Sequence, residues 1–95
     1  MALLGTIEKQ PREVIDFDIT YTTFLTGRTD TLTSVVTEVT PSGALTATSE
    51  IVGDVVKCIV AAGVEAASYK VTILSTFQPR GLVIEDEVMI YIQEV

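Results

Sequence analysis

Residues 67–77 read ASYKVTILSTF, and their alternation limits the fold more than any other stretch. Tyr69, Val71 and Ile73 fall on one face at period two, while Lys70, Thr72 and Thr76 take the other. β-Branched and aromatic side chains at this period suit a half-buried strand and do not suit a helix. The bias runs through the chain, where 14 Thr, 13 Val and 9 Ile occupy 36 of 95 positions. The only helix-like window, Val60–Ala67, is interrupted by Gly63.

Turn signals divide the rest into strands. Arg12–Tyr21 is the first, with Ile15, Phe17, Ile19 and Tyr21 on one face and Asp16, Asp18 and Thr20 on the other. Thr22–Arg28 turns through Gly27, with Phe24 and Leu25 expected against the core. Asp30–Thr40 follows, with Leu32 and Val36 read on one face and Val35 and Val39 on the other, a pattern that suggests a bulge or a two-sided strand. Pro41-Ser42-Gly43 ends it, and Leu45–Val52, rich in Thr and Ser, reads as a strand near an edge. Gly53-Asp54 makes a hairpin into Val55–Ala61, with Val56, Cys58 and Val60 inward and Lys57 outward. After the 67–77 strand and the turn Gln78–Gly81 comes Leu82–Gln93, with Val88, Ile90 and Ile92 inward. Residues 1–11, broken by Gly5 and Pro11, read as a loosely ordered lead-in to a single domain over 12–95.

The expectation is one antiparallel β-sandwich of six or seven strands. Its expected core is Phe17, Ile19, Leu32, Val56, Cys58, Tyr69, Val71, Ile73, Val88 and Ile90.

Chemistry is sparse. The chain has no histidine, which removes the His-dependent nucleophile systems and the usual zinc sites. Cys58 lies in an apolar strand and reads as a core thiol. A single cysteine permits no internal disulfide, which fits a reducing compartment. Asp16 and Asp18 share a strand face, but their spacing matches no calcium loop. No phosphate loop or dinucleotide fingerprint occurs, so neither a cofactor nor a metal is expected. Six cations are scattered singly against thirteen acids, for a net charge of −7, which disfavours nucleic acid and anionic membranes. The apolar run in MALLGTIEKQPR is too short for a signal peptide, so assembly in the cytoplasm is expected. Tyr21, Met89 and Tyr91 are the candidate exposed contact residues, and Tyr69 is expected to donate its hydroxyl to the backbone near Gly63.

Three segments carry a family resemblance. The approach Glu65, Ala67, Tyr69, Val71 resembles the entry to a central immunoglobulin strand. DFDITYTTFLTGRTDTL, with Asp30, Thr31 and Leu32, and AAGVEAASYKVTILST, with Gly63, Tyr69, Val71, Thr72 and Thr76, resemble small phage virion proteins of the fibre–tail adaptor or tail-associated type. Arg80 in the final turn and Ile90 and Ile92 in the closing strand complete the pattern. The family's tryptophan near Val36 or Thr37 is missing, and Ala66-Ala67 stands where a second glycine is expected. The resemblance implies an immunoglobulin-like fold and a non-enzymatic virion protein that contacts other virion proteins. An immunoglobulin- or fibronectin-like binding module, such as an adhesin or a carbohydrate-recognising fragment, is the alternative, and the neighbouring genes distinguish the two. The acidic Glu85-Asp86-Glu87 implies self-repulsion if the final strand pairs with its own copy. A monomer in isolation, and a ring at most within a particle, is therefore expected.

Overall fold

A computed structural model describes residues 2–93. Seven strands form two sheets, with one helical turn between the second and third. They are β1 Ala2–Lys9, β2 Ile15–Thr20, β3 Thr31–Thr40, β4 Leu45–Val52, β5 Val55–Ala62, β6 Ser68–Gln78 and β7 Leu82–Ile92, and α1 is Thr22–Leu25. The larger sheet runs β1-β7-β6-β3 and the smaller one β2-β5-β4. The chain is therefore a β-sandwich, as its alternation required.

Two expectations are corrected at the N-terminus. Where a loose lead-in was read, residues 2–9 form an edge strand. That strand runs parallel to β7, from Ala2 opposite Asp86 to Lys9 opposite Ile92, so the sandwich is not wholly antiparallel. Gly5 hid it, because a glycine inside a short apolar run reads as a breaker, whereas here it sits at a register shift. Met1, Glu94 and Val95, at the ends of the expected segments, lie outside the described residues.

The core forms where the inward faces meet. Val56, Cys58, Val60, Val71, Ile73, Ile90 and Ile92 are fully buried, with Ile19, Leu32, Tyr69 and Val88 nearly so. Nine of the ten expected core residues are thus buried, and Phe17 is only half-buried against the cluster. On β3 the register shift between Leu32 and Ser34 moves Val35 to the core side and leaves Val36 exposed, which corrects the pairing of Val36 with Leu32. One extra residue in a strand exchanges its two faces downstream. Phe24 and Leu25 of α1 pack on the core, with Phe24 tilted on Phe77 at 5.0 Å between centroids.

The chain returns to its central strand through a tight left-handed path. Ala62, Gly63 and Ala66 all have positive φ, and the Val64 amide donates to the Tyr69 hydroxyl at 3.1 Å. The tyrosine therefore does fix backbone beside Gly63, accepting the bond where donation was expected.

Candidate contact surfaces

The expected contact residues separate. Tyr21 is buried, which removes it from any surface. It directly follows β2 on the same face as Ile19, and period two carries it inward. Its ring meets Phe77 edge-on at 5.1 Å, and its hydroxyl donates to Asp86 Oδ2 at 2.8 Å and lies 3.0 Å from Ser75 Oγ. Burial, with Asp86 adding to it and Ser75 opposing, pushes the hydroxyl up to about 12. Met89 and Tyr91 do share the outer face of the larger sheet, half-buried and exposed respectively.

That outer face carries apolar side chains towards both ends, with Glu85, opposite Leu74, set among those at the first. At one lie Val36, opposite Leu74, and Val83, opposite Thr76. At the other lie Met89 and Tyr91, opposite Lys70 and Ser68. Between them Glu38, Thr72 and Glu87 form a polar rank, and Lys70 reaches Glu87 at 3.3 Å. Val36 and Val83 are more than half exposed. On the smaller sheet, Asp16, Asp18, Lys57 and Ile59 face outward, and Lys57 pairs with Asp18 at 3.3 Å. Asp18 is therefore paired with a cation of the protein itself. Among the described residues, no three metal-ligating side chains come together.

Polar contacts that the sequence reading did not foresee hold the two ends of the sandwich. At one end Lys9, itself buried, donates to the carbonyls of Ala62 at 2.6 Å, Gln10 at 2.8 Å and Pro11 at 3.2 Å. It ties the end of β1 to the end of β5 in the opposite sheet. Burial holds its ammonium below the ordinary lysine value, with Glu13 acting the other way. Its parity with Ile7 was the available signal. At the other end the Arg80 guanidinium grips Asp30 with Nη2 at 2.6 Å and Nε at 3.0 Å from Oδ2. Arg80 holds the Asp30 carboxyl below the usual carboxylate range. Cys58 is buried, and burial pushes its thiol up to about 11, far from a reactive thiolate at neutral pH.

The surface thus offers flat sheet faces, not a reactive constellation. A family model described as Podophage GP4 fiber-tail adaptor protein gp77 matches residues 9–91. The chain belongs to this family. No curated protein matches the sequence. Asp30 and Arg80, both part of the resemblance noted in the sequence, are joined here as one ion pair. The chain is accordingly a phage tail-associated structural protein, and the adaptor family implies binding to other virion proteins.

Proposed function

We propose that the chain is a non-enzymatic adaptor at the junction of tail and fibre, working only through protein–protein contacts. The observation that carries this reading is the family match across 9–91, which favours an adaptor over a free-standing adhesin or carbohydrate-binding module. The shape is suited to it, since a body 45 Å long separates its two ends enough to hold different partners. The strand order supports an immunoglobulin-like classification. β2-β5-β4 and β3-β6-β7 follow the arrangement of a constant-type sandwich, with the first strand moved beside the seventh. Val36, Leu74 and Val83 at one end of the outer face, and Met89 and Tyr91 at the other, are the contact residues of this proposal.

Nucleic acid has no place in it. Lys57, Lys70 and Arg80 are each committed to a carboxylate, and Lys9 is buried. The protein is made in the host cytoplasm and carried into the virion. In dilute solution it is monomeric, though not for the reason the acidic triplet suggested. β7 lies inside its sheet, Asp86 is bonded to Tyr21, and Glu87 is paired with Lys70. The four edge strands instead carry Glu8, Asp16, Asp18, Glu38 and Glu50 exposed, and like charges oppose edge-to-edge pairing of copies. Deleting the gene from its phage tests the function. The expected particles have tails but no attached fibres, and normal fibre-bearing particles would contradict it.

A further inference from the structure

Along one side of the sandwich the two sheets meet strand to strand, and along the other, among the described residues, Lys9 bonds across from β1 to β5 only at one end. On the first side β3 and β4 are linked by a hydrogen bond between Thr37 and Ser49. On the other side β1 pairs with β7 and β2 with β5, and among the described residues neither strand has a second partner. Between them runs a groove of about 190 Å³, lined mainly by Leu4, Gly5, Ile7, Phe17, Ile19 and Val88, with Thr6 and Asp18 also in its wall. It opens where β1 places a glycine at an inward position, in step with Ile7. A Cβ added at Gly5 would meet nothing within 4 Å. The same gap leaves Phe17 half-buried, the one expected core residue that is not enclosed.

The free edge of β2 has a defined hydrogen-bonding parity. The Tyr21 amide donates to the Asp54 carbonyl, in line with the register that sets Ile19 opposite Val56 and Phe17 opposite Cys58. In an antiparallel ladder, hydrogen-bonded and non-bonded pairs alternate. The odd residues of β2 therefore bond β5, and the backbone groups of Asp16, Asp18 and Thr20 point to the open edge. The carboxylates of Asp16 and Asp18 stand exposed on the outer face beside that edge, Asp18 sharing its charge with Lys57 of β5 at 3.3 Å.

We propose that this seam accepts an extended segment of a partner protein as an added strand on β2. Its aliphatic residues fill the groove, and the alternating basic residues lie beside Asp16 and Asp18. The proposal deepens the adaptor reading and rests on it for the existence of a partner. Strand addition uses main-chain bonds for affinity and alternate side chains for selectivity. A second copy of this chain is a poor occupant. β2 against β2 brings Asp16 and Asp18 against one another, and every other edge strand exposes Glu8, Glu38 or Glu50.

The test uses the full chain, labelled with nitrogen-15, and a capped octapeptide of alternating valine and lysine at physiological ionic strength. Saturable shifts at Asp16–Thr20 and Leu4–Ile7, with slowed exchange of the Asp16, Asp18 and Thr20 amides, are expected. Gly5→Leu should fill the groove and weaken binding by roughly tenfold or more while the spectrum stays folded. Asp16→Lys with Asp18→Lys should switch preference to an alternating valine–glutamate peptide. A valine–lysine peptide N-methylated at alternate residues should not bind, because it keeps the charge and loses the ladder. Equal binding of that peptide, or shifts confined to other surfaces, would overturn the seam. So would no binding at all, and if the chain still sits at the fibre–tail junction, the adaptor reading survives that result.

Discussion

Removing one oxygen, with Tyr21→Phe, is the sharpest probe of how the sandwich tolerates a carboxylate in its interior. Asp86 faces the core on the same side of β7 as Val88 and Ile90, and it is 6% exposed. The Tyr21 hydroxyl has a single hydrogen, given to Asp86 at 2.8 Å, so the Ser75 hydroxyl donates to the Tyr21 oxygen at 3.0 Å. Phenylalanine keeps the ring packing on Phe77 but leaves the carboxylate without that donor. A buried bond to a charged group is worth about 1.5–3 kcal/mol, and the neutral Ser75 bond adds about 1 kcal/mol, so a loss of about 3 kcal/mol is expected. For a domain of this size that lowers the melting temperature by roughly 10 °C or more. Urea unfolding followed by circular dichroism measures it directly. In an Asp86→Asn background, the group left unpaired is neutral, and the same substitution should cost about 2 kcal/mol, about 1 for that bond and about 1 for the Ser75 bond. A cost below about 0.5 kcal/mol in the native background, or equal costs in both, would refute the reasoning.

Four further outcomes follow from the same structure. Gly63→Ala should destabilise by about 2 kcal/mol or more, because φ is +106° and the new methyl would lie 2.8 Å from Ile92 Cδ1; urea unfolding reads the cost. Cys58→Ala should cost about 1 kcal/mol and Cys58→Ser more, with the native thiol labelling slowly until the protein is unfolded. The raised Tyr21 and Cys58 values mean that the folded state holds protons the unfolded chain has released. Stability should therefore fall as pH rises from the ordinary thiol and phenol ranges toward about 11 and 12, and the Tyr21→Phe profile should be flatter at the upper end. Arg80 depresses the Asp30 carboxyl, so its contribution is present above the ordinary carboxylate value and is lost as pH falls through the depressed one; Arg80→Met should flatten that acid limb of the unfolding curve.

Strands with a clean period-two pattern were legible from sequence, and those whose role depends on distant partners were not. β5 and β6 follow their expected faces because each is flanked in its sheet on both sides and buries one face completely. β1 was hidden because its pairing with β7 joins residues more than 80 positions apart and local pattern carries no trace of it. Tyr21 and Asp86 were each misplaced for one reason: a polar group on an apolar strand face reads as exposed unless its partner is known. Alternation already set Tyr21 beside Ile19 and Asp86 beside Val88, so the two inward polar groups could have been matched. Asp30 and Arg80 entered as separate marks of a family, and only the fold brought their charges together. The open seam was not legible, since it depends on β1 and β2 lying in different sheets.

We propose that this sandwich bridges tail and fibre. A cryo-EM reconstruction of the phage particle at the fibre attachment point tests it most directly. Density for the seven-stranded body is expected there, touching two other virion proteins through its sheet faces and open edge. Particles with complete, fibre-bearing tails and no such body at the junction would contradict it.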